Sequence, residues 1–228
     1  MALITVNLQA VRSRIARAAQ AAHRSSGDIA LVAVSKTFPA GHVAEAFAAG
    51  QEASGENHVQ EAVEKITVLA ALPLEWHFIG PIQSNKTRLI AECFQWVHSV
   101  DREKIAQRLN AARRDGTPPL NVLIQVNVSG EAAKSGIAPG EEAKLADAIA
   151  RLPRLKLRGL MAIPEPTTDV TLQRQRFALL RELKDGLAAG GHVLDTLSMG
   201  MSDDLEAAIM EGATMVRVGT AIFGPRTK

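Results

Sequence analysis

Apolar residues recur along this chain in two alternating rhythms. Short runs of β-branched and aromatic residues occupy 29–36 (IALVAVSK), 75–80 (EWHFIG), 94–100 (FQWVHSV), 121–128 (NVLIQVNV), 155–163 (LKLRGLMAI), 193–200 (VLDTLSMG) and 214–224 (TMVRVGTAIFG). A further short, polar run lies at 52–57 (EASGEN). Between them, Ala- and Leu-rich stretches with interleaved Glu, Lys and Arg cover 40–49, 58–71, 84–91, 102–114, 140–151, 171–189 and 203–211. The first rhythm is that of strands, the second that of amphipathic helices. Strand followed by helix, about eight times over, predicts a parallel sheet covered by helices. Continuous apolar runs such as ALVAV and NVLIQV fit strands buried on both faces. The fold class expected is α/β, a single (β/α)8 TIM-type barrel, with an open doubly wound sheet as its rival. The polar second strand is the weakest element of that pattern.

Ahead of the first strand, Val11, Ile15, Ala18, Ala19 and Ala22 fall at helical spacing. This predicts an extra N-terminal helix within residues 1–27, packed on a barrel of 28–228. The same segment is Arg-rich and has no acidic residue before Asp28, as mitochondrial presequences do. Packing explains its apolar spacing; targeting does not.

Composition narrows the classes. The chain has 228 residues, 46% hydrophobic, with a net charge of +2. That length suits one large core. No basic run or aromatic-basic patch points to nucleic acid. No apolar run reaches the roughly 18–20 residues of a membrane span. A lone cysteine, Cys93, allows no disulfide framework and fits a reducing, cytoplasmic location. The six histidines show no metal-ligand spacing, so no metal site is expected.

In a barrel the chemistry sits at the C-terminal ends of the strands. The exits offer Lys36, Glu56 and Asn57, His77, Ser99 and Asp101, Asn127, Met161, Ser198 to Gly200, and Arg217 with Gly219 and Thr220. Two stand out. SMGMSDD (198–204) and RVGTAIFG (217–224) each place glycine and hydroxyl residues after a late strand, where barrels frequently bind phosphate. The competing reading is that Ser202 or Asp203 only caps the following helix. Lys36 ends the first strand, where an amine partly withdrawn from water can attack a carbonyl; the plain alternative is a solvated rim charge. An amine facing a phosphate cradle suits a phosphorylated aldehyde such as pyridoxal 5′-phosphate. A sugar-phosphate aldolase would use the same two parts.

The motifs AVSKTFP, GENHVQEAVEK, WHFIGPIQSNK, QVNVSGEAAKSGI, LRGLMAIP and LSMGMSDDLEAAIMEGATMVRVGTAIFG resemble the pyridoxal phosphate homeostasis proteins. That family is similar to the barrel domain of alanine racemase standing alone, a fold-type III pyridoxal phosphate barrel. The resemblance runs from about residue 29 to 224. It implies that Lys36 forms a Schiff base (the internal aldimine) with the cofactor. It implies a phosphate site of Ser198, Gly200, Ser202, Gly219 and Thr220, Arg217 opposite the pyridine nitrogen, and Asn57 near the ring oxygen. Met199 and Met201 would lie close to ring or phosphate, and Lys134 matches a loop lysine that could relay the cofactor. Two positions depart: Phe38 stands where relatives often carry a second lysine, and Pro81 and Ile82 replace the usual residues.

A carrier is expected in preference to an enzyme. Guanidinium does not lend its proton, so an arginine at the pyridine nitrogen leaves a poor electron sink. The chain contains no tyrosine to act as the racemase's second base, and no second domain is expected to exclude water. The alternative is a fold-type III racemase or decarboxylase using His58, His77 or Lys134 as its base. The partners expected are pyridoxal 5′-phosphate and the apoenzymes that receive it, with a monomer favoured over a weak dimer. His77, Trp76 and Trp96 read as core or barrel-layer residues.

Overall fold

The computed structural model describes residues 3–131 and 135–225. Among these residues there are eight strands: β1 Ala30–Val34, β2 Ala53–Glu56, β3 Glu75–Phe78, β4 Trp96–Val100, β5 Leu120–Gln125, β6 Leu155–Met161, β7 Thr196–Ser198 and β8 Met215–Val218. Each pairs in parallel with the next, and β8 returns to β1, closing the sheet into a barrel. The closure register is Ala30 with Met215 through Ala33 with Val218. The rival open sheet is therefore excluded, and the polar second strand is real. Its glycine explains why it reads weakly: a Cβ on Gly55 would come within 2.9 Å of Val32 in the barrel interior.

The helices are α1 Leu3–Ala21, α2 Ala40–Ala48, α3 Val59–Val68, α4 Thr87–Cys93, α5 Glu103–Ala112, α6 Glu142–Ala150, α7 Val170–Ala189, α8 Leu205–Met210 and α9 Thr220–Phe223. The last strand is shorter than its apolar run suggests, because 220–223 turns into α9. Helix α1 buries Ile4, Leu8, Val11, Ile15, Ala18 and Ala19, the stripe expected of a packed helix. Arg14, flanking that stripe, grips Glu206 of α8 at 2.7 Å. The Arg-rich segment is thus tied to the barrel by packing and by an ion pair.

Strand alternation divides the core in two. Outward residues such as Ala33, Val97, Leu197 and Met199 join the large shell between strands and helices. Inward residues Val32, Trp96, Leu123, Met161 and Met215 form a small apolar plug. That plug is interrupted by polar residues: His77, His98, Ser198 and Arg217 are all buried inside. Such groups persist in a barrel interior only if they satisfy one another.

Candidate functional site

At the C-terminal mouth a cavity of about 200 Å³ is lined by Val34, Lys36, Phe38, Asn57, Ile79, Ile163, Met201, Ser202, Asp203, Arg217, Gly219 and Thr220. Inward positions at the ends of β1, β2 and β8, in period two, deliver Lys36, Asn57, Arg217 and Gly219 to it. Seven of the residues singled out from the sequence meet there: Lys36, Asn57, Met201, Ser202, Arg217, Gly219 and Thr220.

Three others do not line it. Met199 is wholly buried in the outer shell. Its neighbour Ser198 faces inward, so alternation turns Met199 away from the mouth. Ser198 itself is wholly buried, below the cavity floor, where its Oγ accepts from Arg217 Nη1 at 2.5 Å. Gly200 lies beneath the turn, with φ +94° and a Cβ position only 2.7 Å from Ala208 Cβ. It lets the chain pass close over α8. Lys134 falls outside the described residues, and His58 sits exposed before α3, apart from the cavity lining.

Arg217 is the buried cation of the floor. Its Nη2 donates to the Ala162 carbonyl at 2.8 Å. Burial pulls its pKa down to about 10, and the nearby Asp204 charge works against that pull. It stays cationic at neutral pH, held by two neutral acceptors. A buried cation so placed favours an anionic or electron-rich ligand above it.

Below Arg217 a hydrogen-bond chain descends the barrel. Ser198 Oγ contacts His98 Nδ1 at 2.9 Å, His98 Nε2 contacts His77 Nδ1 at 3.0 Å, and His77 Nε2 contacts Glu75 Oε2 at 3.1 Å. Burial lowers both histidine pKa values, His98 well below the ordinary value, so both rings are neutral. The bond to His77 holds the Glu75 carboxyl low and ionised. These charges assign every proton. His77 must donate from Nε2 to the carboxylate, so its Nδ1 accepts from His98 Nε2–H. His98 Nδ1 then accepts the Ser198 hydroxyl proton, leaving Oγ to accept from Arg217. At the far end Glu75 also accepts from Trp96 Nε1 at 2.9 Å, and Arg158 lies 4.7 Å over the Trp96 ring.

Two turns complete the mouth. Asp204, preceding α8, accepts the Met201 amide at 2.6 Å, and the Gly200 carbonyl accepts the Arg217 amide at 2.9 Å. Neither Ser202 nor Asp203 caps the helix; the adjacent Asp204 folds the turn instead. No backbone acceptor among the described residues takes the Ser202, Gly219 or Thr220 amide. The cavity wall also holds an unspent group: Asn57 Oδ1 is buried with no partner among the described residues.

Sequence reasoning missed His98, Asp204 and the pair Glu61 and Lys65. Lys65 of α3 is buried and donates to Glu56 at 2.7 Å, Glu61 at 2.6 Å and the Ser35 carbonyl at 2.7 Å. The signal available was Glu56 in a strand, an acid that burial would force to find a cation.

A larger open groove of about 770 Å³ lies by the opposite ends of the strands, lined by Arg12, Ser26, Gly50, Gln51, Glu52 and Glu75 among others. Arg12 is spent there on the carbonyls of Ala49 and Gly50. None of the residues lining it pairs an amine with a buried cation, as Lys36 and Arg217 do in the mouth cavity.

The family described as "Alanine racemase, N-terminal domain" matches residues 6–227. The pyridoxal phosphate homeostasis protein of Pseudomonas aeruginosa is 63% identical over 226 residues, covering 99% of this chain and 97% of the relative. The chain belongs to the pyridoxal phosphate homeostasis protein family. The Escherichia coli K12 member is 54% identical over 98% of this chain and 97% of its own length. Among solved members, PipY of Synechococcus elongatus with pyridoxal phosphate bound aligns at TM-score 0.84 and 36% identity, covering 97% of this chain and all of PipY. An alanine racemase of Clostridium difficile shares the fold at TM-score 0.74 and 17% identity, with the chain spanning 57% of that enzyme.

Proposed function

We propose that this chain binds pyridoxal 5′-phosphate at the mouth cavity, on Lys36, and serves the cell's vitamin B6 balance as a reversible carrier. The observation that supports this is the meeting of Lys36, the buried Arg217 and the turns at 201–202 and 219–220 in one cavity. The residues present fit the group. The Asn57 carboxamide has buried, unspent hydrogen-bonding capacity at the cavity wall, and the Ser202, Gly219 and Thr220 amides are turned to no backbone acceptor. When bound, the cofactor supplies an aldehyde that condenses with a lysine amine, releasing water, to a Schiff base that water can reopen.

The protein's own part is to hold. Ser202, Gly219 and Thr220 would receive the phosphate, Arg217 the pyridine nitrogen, and Asn57 the ring oxygen. Ser198 contributes through Arg217 and Gly200 through the turn. Phe38 and Ile163 wall the open side, with Ile163 37% exposed, so water reaches the cavity. Access of that kind suits release and transfer to apoenzymes; it does not suit protecting a carbanion. His77, one base that a racemase reading needs, is locked in the barrel core between Glu75 and His98. No described helix is long and apolar enough to cross a membrane, and a cytoplasmic location accords with the lone cysteine.

The test is one absorption spectrum of the full chain with added pyridoxal 5′-phosphate, repeated for Lys36→Ala. A lysine-adduct band in the first and its loss in the second are expected. An unchanged band in the variant sinks the assignment of Lys36. Cα deuterium exchange of alanine at enzymic rates would sink the carrier reading.

A further inference from the structure

The turn that presents Lys36 is held against its own preference. Phe38 N–H closes on the Ser35 carbonyl at 3.0 Å, so Ser35 to Phe38 form a four-residue turn with Lys36 second and Thr37 third. Thr37 has φ +69°, a left-handed value that this position of a tight turn usually reserves for glycine. For a β-branched residue that conformation is strained and persists only where the surroundings over-determine it.

The surroundings are two side chains one helical turn apart on α3. Lys65 Nζ donates to the Ser35 carbonyl, just before Lys36, at 2.7 Å. Glu61 Oε1 accepts the Thr37 amide, just after Lys36, at 2.6 Å. The two are joined to each other at 2.6 Å. Beneath them the wholly buried Glu56 binds Lys65 at 2.7 Å and the Ser35 hydroxyl at 2.6 Å. Burial raises the Glu56 pKa, against the pull of Lys65 and Ser35. An ion pair this deep gives little net stability and is easily bettered by an apolar pair. Its worth lies in what it holds.

We infer that Glu61 and Lys65 are positioning residues: together they clamp the backbone on both sides of Lys36 and aim its amine across the cavity. The inference deepens the reading of Lys36 as the loading lysine and rests on it. An amine freed to sample other turn conformations would meet the carbonyl carbon less often, while the phosphate turns and Arg217 would be untouched. The clamp therefore acts on the rate of covalent loading and not on non-covalent binding.

The experiment separates those two quantities in the full chain freed of ligand. Loading with pyridoxal 5′-phosphate is followed by stopped-flow absorbance. Affinity for pyridoxine 5′-phosphate, which lacks the aldehyde, is measured by calorimetry. Glu61→Ala is expected to slow loading about tenfold or more and to leave pyridoxine 5′-phosphate affinity unchanged. Hydrogen exchange of the Thr37 amide should quicken in the same variant. Adding Thr37→Gly, which removes the strain the clamp resists, should restore most of the rate. Lys65→Met alone would strand the Glu56 carboxylate, so it is made with Glu56→Gln, with the same outcome expected. Loading at the parent rate in Glu61→Ala overturns the inference. So does an equal loss of pyridoxine 5′-phosphate affinity, or no rescue by Thr37→Gly. If instead Lys36→Ala still loads, the assignment of Lys36 fails, a result distinct from all of these.

Discussion

Arg217 illustrates how one residue's behaviour is set by a neighbour it never touches. Its Nη1 rests on Ser198, whose own proton is committed to His98 because His98 must donate to His77, and His77 to Glu75. Each donor in that chain points toward the carboxylate, so the charge on Glu75 helps make Ser198 Oγ an acceptor for the guanidinium. Ser198→Ala breaks the chain directly below Arg217. It leaves Arg217 Nη1 without an acceptor and His98 Nδ1 without a donor, both on buried side chains. We expect a loss of roughly 1–3 kcal/mol in urea unfolding, and weaker pyridoxine 5′-phosphate binding as Arg217 moves. Unchanged stability in Ser198→Ala would mean that the serine is not the link. Met199, one residue on, should behave oppositely. It packs in the outer shell, so Met199→Leu should affect neither ligand affinity nor, beyond about 1.5 kcal/mol, stability.

At the scale of elements, the stretch from β7 into α8 does most to shape the mouth. β7 has only three residues, Thr196–Ser198, before the chain turns over α8. Gly200 makes that turn possible twice over, by its positive φ and by the absence of a Cβ that would overlap Ala208. Asp204 then pins the loop through the Met201 amide. Gly200→Ala should therefore lift the 201–203 segment off α8. Its expected signature is a loss of roughly 1–3 kcal/mol with weakened binding of inorganic phosphate and pyridoxine 5′-phosphate alike, read by calorimetry. A variant that binds both normally would show that the turn tolerates the methyl. The expectation of a helix from residue 203 was close, since α8 begins at Leu205. The sequence pattern could not distinguish Ser202, Asp203 and Asp204 as the residue that folds the turn, because all three side chains can accept an amide.

Across the whole molecule, a barrel interior containing two neutral histidines ties stability to pH. His77 and His98 have pKa values lowered from the ordinary 6.5 by burial. The unfolded chain takes up protons below that value that the folded barrel refuses, so stability is full above it and falls as pH drops through it. Glu75, held low by His77, adds in the same direction at more acid pH. Each histidine contributes a slope approaching about 1.4 kcal/mol per pH unit. Urea midpoints at about pH 7.5 and about pH 5.5 should differ accordingly, and His77→Gln with His98→Asn should flatten the difference. A parent protein equally stable at both would place those rings in contact with water.

Hydrophobic periodicity by itself determined the alternation of eight strands and their helices, the packed role of α1, and the strand exits that hold Lys36, Asn57 and Arg217. Those follow from local rules, since the faces of strands and helices repeat with short fixed periods. The long, specific motif at 197–224 likewise marked both turns of the mouth. Only the closed barrel decided the rest. It separated Met199 from Ser198 across one sheet, brought Glu75, His77, His98 and Ser198 from three strands into one proton-ordered chain, and set α3's Lys65 and Glu61 against the backbone of β1's exit. These contacts join residues distant in the chain, and their partners are chosen by register and burial, quantities that exist only once the sheet has closed.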